Sequence, residues 1–292
     1  MKIALGTVQF GLEYGISNTC GRTDQRSVNQ ILQYACDNGI DTIDTAAQYG
    51  ESESVLGSFS DNNCNWNIVT KTPSFIHDSI QKRHTKQLRE CFNNSLLSLN
   101  KKCIYGLLMH SCSDLFKNNG DFLFKEMEYL KSIGLVEKIG VSVYSKQEID
   151  QVLDNFKIDL IQVPASILDQ RLINDGSLSK LKKYGVEIHV RSIFLQGLLL
   201  MERKKIPSYF LPIKKNLDTF DDLAKKLHLT RLELALGYVM GISSVDKVVL
   251  GVNNLSQLKE IVNVQPLQNN LDIFKDISID NPIYTNPSLW KI

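Results

Sequence analysis

The sequence predicts an α/β fold, a TIM (β/α)8 barrel, from three observations. Eight short apolar runs occur along the chain, and each ends in polar or glycine residues. Helical patterns lie between these runs, and this alternation is typical of parallel strands joined by crossover helices. Eight is also the number of strands that closes such a barrel. The 292 residues suffice for one domain of this kind, and we expect a single domain over residues 1–292.

The apolar runs are the predicted strands. They span residues 3–5, 40–43, 67–70, 104–109, 138–141, 160–163, 186–190 and 248–250. The helix-like segments between them span residues 24–38, 52–58, 79–99, 122–133, 146–155, 177–184 and 255–262. Segment 79–99 places apolar residues near one face, as expected of a helix packed on a sheet: Ile80, Leu88, Cys91, Phe92 and Leu96.

The interval between the seventh and eighth runs is longer than the others. Two helical candidates, 220–227 and 231–239, follow a loop that contains Pro207 and Pro212. We interpret this interval as an elaborated loop plus an extra helix before the eighth strand, because no Gly/Ser-rich or Pro-rich linker divides the chain. The C-terminal tail, residues 280–292, is expected to be an extended segment on the body, with a frayed end as the alternative.

Composition excludes several classes of protein. Lys and Arg number 33 against 32 Asp and Glu, a net charge of +1, and 43% of residues are hydrophobic. These values exclude disorder and collagen, and they provide no field for capturing nucleic acid or an anionic membrane. The chain begins without a signal-peptide core, and its longest apolar stretch, 234–245, is too short to span a bilayer. We therefore expect a cytoplasmic protein.

The six cysteines do not form a metal-binding or redox motif. None belongs to a Cys-x-x-Cys pair, and no short-spaced Cys/His cluster indicates zinc. Cys36 and Cys91 fall within apolar helical patterns, and Cys103 opens a strand-like run. We predict buried, small hydrophobic residues in preference to disulfides, and no metal.

Polar side chains follow the predicted strands, where a barrel builds its active site. Asp44 and Tyr49 follow the second strand, Lys71 ends the third and His110 follows the fourth. We expect these four side chains to converge. Each one taken alone has a structural alternative, such as a turn residue or a solvated charge, but their joint order favours catalysis.

This set of side chains suits proton transfer to a carbonyl oxygen. A tyrosine phenol has a pKa near 10, and a neighbouring lysine lowers it by stabilising the phenolate. An aspartate can hold the lysine, and a histidine can orient the carbonyl, so the phenol becomes an effective general acid. Side chains supply no hydride, so a nicotinamide cofactor is required.

The residues that carry this chemistry resemble those of the aldo/keto reductase superfamily. Residues 39–50, Gly-Ile-Asp-Thr-Ile-Asp-Thr-Ala-Ala-Gln-Tyr-Gly, are similar to its signature, and 5–7, Lys71 and His110 follow the same pattern. The family order continues through 139–142, Gln162 and Gly251. The resemblance runs from about residue 3 to 262 and implies an eight-stranded barrel, NADPH or NADH, and reversible reduction of aldehydes or ketones.

The resemblance also implies a role for each matching residue. Tyr49 would be the general acid, Lys71 and Asp44 would tune it, and His110 would position the substrate carbonyl. The implied cofactor-binding residues are Thr7 and Val8 at the nicotinamide, Ser142 and Gln162 at its carboxamide, Arg191 beside it, Ser192 and its loop at the pyrophosphate, and Gly251, Val252, Asn253, Gln257 and Glu260 at the adenosine end. Ser142 and Gln162 have a structural alternative, the satisfaction of backbone groups.

Three positions depart from the family pattern. Val143 stands where an asparagine commonly follows the serine, and Arg191 stands where an aromatic ring often stacks on nicotinamide. For Arg191, a cofactor or substrate contact and an internal ion pair remain alternatives. Gln257 replaces a basic residue that commonly holds the 2′-phosphate of NADPH, and stretch 251–257 has no other cation. NADPH is therefore favoured by the resemblance alone, although Lys259 or the loop after the seventh strand could compensate.

The sequence is compatible with more than one substrate and more than one class of function. Residues 190–197 resemble bacterial reductases of surface-polysaccharide or sugar-precursor metabolism, which implies a keto-sugar or sugar-nucleotide substrate. The alternatives are a nucleotide-binding sensor or auxiliary subunit with little turnover, and a barrel lyase or isomerase without nicotinamide. The basic cluster 203–205 is interpreted as a solvated loop, with a lid over the cofactor or recognition of a phosphorylated substrate as the alternatives. Surface or structural roles are expected for the remaining histidines, His77, His84, His189 and His228.

Overall fold

Eight parallel strands form a closed barrel in a computed structural model of the protein, which describes residues 1–59, 64–268 and 271–291. Each strand pairs with the next along the chain, and the first pairs with the last. The strands are β1 (Ile3–Gly6), β2 (Thr42–Asp44), β3 (Asn67–Lys71), β4 (Ile104–Met109), β5 (Val136–Ser142), β6 (Leu160–Pro164), β7 (Glu187–Arg191) and β8 (Lys247–Gly251). The predicted TIM barrel is confirmed.

Helices surround the barrel. They are α1 (Val8–Gly11), α2 (Gln25–Asp37), α3 (Ser52–Gly57), α4 (Lys82–Ser98), α5 (Asp121–Ser132), α6 (Lys146–Asn155), α7 (Arg171–Asn174), α8 (Ser177–Lys183), α9 (Lys214–Lys226), α10 (Arg231–Gly241), α11 (Leu255–Val262) and α12 (Pro282–Thr285). Short 3-10 turns occupy Cys112–Phe116, Arg203–Lys205, Ser208–Ile213, Leu271–Ile277 and Pro287–Leu289.

Local sequence explains where several helices begin. Ser145 caps α6 by accepting a hydrogen bond from the amide of Glu148, whose side chain bonds back to the cap. Thr230 and Glu233 form the same reciprocal arrangement at α10, which satisfies amide groups that a helix start leaves unpaired. Helices α6 and α11 coincide with their predicted segments.

The interval before β8 contains the predicted extra helix. Helix α9 comes first along the chain, and α10 follows it and leads into β8. Helix α9 begins earlier than expected, at Lys214, because Leu217 already lies on its buried face. The tail lies on the body as predicted, where the rings of Trp290 and Phe210 meet edge to face at 4.9 Å. It contains α12 and a 3-10 turn, so the expectation of a purely extended tail was wrong.

Two apolar layers hold the barrel together. A large core lies between the strands and the helices, and a smaller cluster of Val69, Leu108 and Leu160 fills the barrel interior. Gly140 is required beside this cluster, because a Cβ atom there would lie 1.6 Å from the carbonyl oxygen of Leu160. Dense packing of this kind fixes the relative positions of the strand ends.

A polar group, here called the basal cluster, fills the amino-terminal part of the barrel interior. It consists of Tyr105, Lys138, Glu187 and His189. Glu187 Oε2 accepts hydrogen bonds from the Tyr105 hydroxyl at 2.6 Å and Lys138 Nζ at 2.5 Å. Its Oε1 lies 2.7 Å from Nε2 of His189, whose ring is fully buried. The structural role expected for His189 is confirmed.

The prediction that the cysteines are unpaired was wrong for two of them. Cys36, at the end of α2, forms a disulfide with Cys64 before β3, with Cα atoms 5.7 Å apart. Cys112 is buried as predicted, whereas Cys20 and Cys103 are exposed. The pairing depends on how α2 packs beside the segment that enters β3, and spacing along the chain does not reveal this. Among the described residues, no helix is both long enough and apolar enough to cross a membrane.

Candidate active site

A cavity of about 640 Å³ opens at the carboxyl ends of the strands. It receives fourteen of the fifteen predicted site residues: Thr7, Val8, Asp44, Tyr49, Lys71, His110, Ser142, Gln162, Arg191, Ser192, Gly251, Asn253, Gln257 and Glu260. Val252 was expected among them, but its side chain packs into the apolar core because it alternates with its neighbours at the end of β8.

A buried ion pair lies at the base of this cavity. Lys71 Nζ contacts Asp44 Oδ2 at 2.7 Å and donates to the carbonyl oxygen of Thr45 at 2.8 Å. The amide nitrogen of Gln162 donates to Asp44 Oδ1 at 2.7 Å, so both carboxylate oxygens are engaged. Lys71 is only 2% exposed, and these contacts fix its ammonium group in one position.

Tyr49 lies directly beside this ammonium group. Lys71 Nζ is 5.0 Å from the centroid of the Tyr49 ring. Burial by itself lowers the pKa of Lys71, but the charges of Asp44 and Tyr49 outweigh burial and raise that pKa above its ordinary value. Lys71 therefore remains positively charged at neutral pH and can stabilise negative charge on the phenol oxygen.

His110 completes the set beside Tyr49. The two rings meet edge to face, with centroids 6.1 Å apart. Burial, reinforced by the positive charge of Lys71, lowers the pKa of His110 to about 4, so the imidazole is neutral at pH 7. Its Nδ1 atom is buried and has no hydrogen-bond partner within the described part of the chain.

The residues expected at the nicotinamide differ in whether their polar groups are already bonded within the protein. Ser142 and Gln162 are register partners on β5 and β6, and both line the cavity. The Thr7 hydroxyl is already engaged, because it donates to the Asp44 carbonyl oxygen at 3.0 Å and receives a hydrogen bond from Ser52 at 2.8 Å. Thr7 therefore ties β1 to the strand that carries Asp44.

Other residues reach the cavity that sequence reasoning did not single out. Among them are Gln9, Tyr14, Tyr144, Gln196 and Arg231. Tyr14 comes from the loop after α1. Tyr144 lies two residues beyond Ser142, and a search slightly past each strand end would have found it. No local signal marks Tyr14 or Arg231, because a loop and a helix carry them.

No cation of α11 lines the cavity, and Lys259 of this helix instead lies over the Tyr34 ring, with its Nζ 5.6 Å from the ring centroid. The side-chain oxygen of Gln257 accepts a hydrogen bond from the backbone amide of Asn253 at 2.8 Å. Glu260 lies on the same helix. Arg231 lines the cavity nearby, but two of its nitrogens bind the Asp221 carboxylate at 2.8 and 2.6 Å.

Arg203 binds the same Asp221 carboxylate with its Nε at 2.8 Å. The interpretation of 203–205 as a wholly solvated loop was therefore wrong at Arg203, because its guanidinium is folded against α9. Lys204 and Lys205 are exposed as expected.

A nucleotide cofactor fits these residues. The cavity extends from the Lys71–Asp44 pair at the carboxyl ends of the strands to α11, as an extended dinucleotide requires. Two buried side-chain oxygens in its wall, Gln9 Oε1 and Asn253 Oδ1, have no hydrogen-bond partner among the described residues. Buried polar atoms normally find partners, so both oxygens suit the donor groups of a ligand.

The fold is an eight-stranded barrel, and its cavity holds a lysine–carboxylate pair beside a tyrosine. The sequence profile of the aldo/keto reductase family matches residues 2–277, and the chain belongs to this family. It is an NAD(P)-dependent oxidoreductase, and the family reduces carbonyl compounds with NAD(P)H.

Solved structures share the same fold. The holo form of an aldo-keto reductase from Bacillus halodurans is 19% identical, with a TM-score of 0.75 over 96% of this chain and 93% of that one. The glycerol dehydrogenase of Gluconobacter oxydans is 21% identical, with a TM-score of 0.73 over 98% and 92%. No curated protein sequence matches the chain.

Proposed function

We propose that this protein reduces an aldehyde or ketone to the alcohol with NAD(P)H, and that Tyr49 donates the proton. One observation carries the proposal. The charged, fully engaged Lys71 lies beside the Tyr49 ring at the base of the cavity, 5.0 Å from its centroid. A fixed ammonium group at this place favours departure of the phenol proton toward a substrate oxygen.

Asp44 and Gln162 act through Lys71 in this proposal. They hold the ammonium group so that it does not turn toward solvent when charge develops on Tyr49. Such preorganised electrostatics lower the barrier, because no reorganisation is needed at the moment of reaction.

His110 orients the substrate. With a pKa of about 4 it is a neutral imidazole at pH 7, and a neutral ring can donate one hydrogen bond to a carbonyl oxygen. It does not compete with Tyr49 as the proton donor, because it carries no spare proton at this pH. This assignment divides the work between the two rings, one for orientation and one for protonation.

The cofactor, when bound, supplies or accepts the hydride. On the protein side, Ser142 and Gln162 would hold the nicotinamide amide, and Ser192 with its loop would line the pyrophosphate. Asn253, Gln257 and Glu260 would meet the adenosine end. The polar wall of Tyr14, Tyr144, Arg191 and Gln196 supports a polar carbonyl substrate, such as a keto-sugar or a sugar nucleotide.

The test is the Tyr49→Phe substitution. We expect kcat/KM to fall by about 10²–10⁴-fold over a panel of aldehydes and ketones, the usual contribution of a positioned general acid. Nucleotide affinity, measured by fluorescence titration, should stay within a few-fold of wild type because the ring remains. Tyr184→Phe, at the exposed end of α8, is the matched control. Equal turnover by Tyr49→Phe and wild type would reject Tyr49 as the donor.

The same titration tests the other classes of function. Tight nucleotide binding without turnover of any carbonyl would favour a sensor or auxiliary subunit. Absence of nucleotide binding would favour a lyase or isomerase. The complete set of Asp44, Lys71, Tyr49 and His110 supports the reductase, because a binding module has no need of a phenol held beside a buried ammonium group.

A further inference from the structure

Arg191 at the end of β7 differs from the other half-buried arginines. Arg171 pairs with Asp169 at 2.7 Å, and Arg203 and Arg231 both pair with Asp221. In the part of the chain that the structure describes, Arg191 contacts a backbone carbonyl, a hydroxyl and a ring, and forms no ion pair. The internal ion pair left open by the sequence is therefore not found among these residues.

The guanidinium of Arg191 is nevertheless held in place. One terminal nitrogen donates to the carbonyl oxygen of Val143 at 3.1 Å, and the other to the Ser192 hydroxyl at 3.3 Å. Its central carbon lies 4.1 Å from the centroid of the Tyr144 ring, which is cation–π stacking. A guanidinium has five N–H donors, so these contacts orient the group and leave donors unused.

This cation faces the reacting end of the cavity. It shares the wall with Tyr49 and His110, and its charge contributes to lowering the pKa of His110, after burial and Lys71. The contact with Val143 draws the guanidinium toward β5, next to the strand that carries His110, and away from β8 and α11.

Other charges of the cavity wall do not neutralise Arg191. The Asp44 carboxylate is engaged by Lys71, and Glu260 lies on α11 at the other end. Arg191 therefore leaves an uncompensated positive charge beside the place where a carbonyl substrate would bind. An oriented, partly desolvated cation of this kind attracts an anion strongly.

We propose that Arg191 binds an anionic group of the substrate, a carboxylate or a phosphate, and so selects carbonyl compounds that carry one. This inference rests on the proposed function and specifies its substrate class. The planar guanidinium matches two oxygens of either anion in a fork, which an ammonium group cannot do. Tyr144 serves as the positioning residue, because its ring holds the guanidinium from one side.

The first experiment compares matched pairs of substrates. The pairs are 4-oxobutanoate with its methyl ester, and glyceraldehyde 3-phosphate with glyceraldehyde. We expect wild type to prefer the anionic member of at least one pair by tenfold or more in kcat/KM. Arg191→Met should reduce this preference by about tenfold to a hundredfold, mainly through KM, as expected for loss of hydrogen bonds to a charged group. Arg191→Lys should retain part of it.

Controls separate the substrate from the cofactor. Arg26→Met removes an exposed arginine of α2 that does not line the cavity, and it should leave the preference unchanged. The dissociation constants of NADH and NADPH, measured by fluorescence, should change little in Arg191→Met. Equal losses on charged and neutral substrates together with weaker nucleotide binding would assign Arg191 to the cofactor and overturn the proposal.

A binding measurement distinguishes this inference from the proposed function. Malonate and inorganic phosphate, added to the nucleotide-bound protein, should raise the melting temperature of wild type more than that of Arg191→Met. If no carbonyl is reduced but this Arg191-dependent shift is present, the proposed function fails and the anion site stands. If neutral carbonyls are reduced and neither anion gives such a shift nor a substrate preference, the anion site is wrong.

Discussion

Lys71 shows how single residues combine structural and chemical roles in this cavity. A buried ammonium group is costly unless its charge is paired and hydrogen-bonded. Asp44 and the Thr45 carbonyl satisfy that requirement, and the same contacts hold Lys71 Nζ 5.0 Å from the centroid of the Tyr49 ring. In the proposed function, the arrangement that stabilises this buried charge is also the one that supports proton transfer from Tyr49.

At the residue scale, Gln257 allows a prediction about cofactor preference. A 2′-phosphate would find Gln257 instead of a cation, the Glu260 carboxylate on the same helix, and Arg231 already bound to Asp221. A carboxylate at this end of a dinucleotide site favours the free ribose hydroxyl of NADH. We expect wild type to bind NADH at least as tightly as NADPH, and Gln257→Arg to strengthen NADPH binding by about tenfold.

Fluorescence titration with both nucleotides checks this prediction. Gln257→Met is the control, because it too loses the hydrogen bond to the Asn253 amide but adds no charge. A wild-type preference for NADPH of tenfold or more would show that another cation replaces the missing one.

At the scale of elements, the disulfide joins α2 to the segment before β3. Cys36 and Cys64 are 28 residues apart, and their bond connects two elements on the outside of the barrel. Disulfides persist mainly in oxidising compartments, so this bond bears on the expected cytoplasmic location, which stays a prediction.

The bond can be tested by counting thiols and by unfolding. Denatured, unreduced protein should show four free thiols, those of Cys20, Cys91, Cys103 and Cys112. Replacing Cys36 and Cys64 together by serine should lower the free energy of unfolding by about 3–4 kcal/mol under oxidising conditions, the loop-closure value for 28 residues. Under reducing conditions this difference should shrink. Six free thiols in denatured, unreduced wild type would show that the bond is absent.

At the scale of the whole molecule, the two ends of the barrel interior differ in composition and packing. The cavity occupies the carboxyl ends of the strands, and the basal cluster fills the opposite end. Burial raises the pKa of Glu187, but the hydrogen bonds from His189, Lys138 and Tyr105 outweigh burial and lower it to about 2. The same Glu187 carboxylate, after burial, helps to raise the pKa of Tyr105 to about 12.

This depressed pKa predicts part of the acid sensitivity of the protein. The ordinary pKa is 4.5, so stabilisation by Glu187 is complete above pH 4.5 and is lost as the pH falls through about 2. The full loss is about 3 kcal/mol, of which about 2 kcal/mol is gone at pH 3. The free energy of unfolding is measured with urea at pH 7 and at pH 3. Between these two pH values it should therefore decrease less in Glu187→Gln than in wild type.

Glu137→Gln is the control for this measurement, since Glu137 is exposed on β5. It should behave as wild type does. An identical pH dependence in Glu187→Gln and wild type would mean that the basal cluster does not store this stability.

The sequence by itself determined the eight strands, the order of side chains at their ends, and the residues that converge on one cavity. These features depend on local periodicity and residue type, which the chain displays directly. The histidines without motif support also have the expected structural or surface roles. Nδ1 of His84 accepts a hydrogen bond from the backbone amide of Gln81 at the start of α4, and His228 is exposed.

Only the tertiary structure decided which distant groups are partners. It joined Cys36 to Cys64, bound Arg203 and Arg231 to Asp221, and placed Arg191 beside His110 without a carboxylate. The tertiary structure also decided that the side chain of Val252, one residue beyond β8, packs into the core. Pairing and burial depend on how segments far apart in the chain pack together, and neither the spacing nor the composition of the sequence gives the distances between such segments.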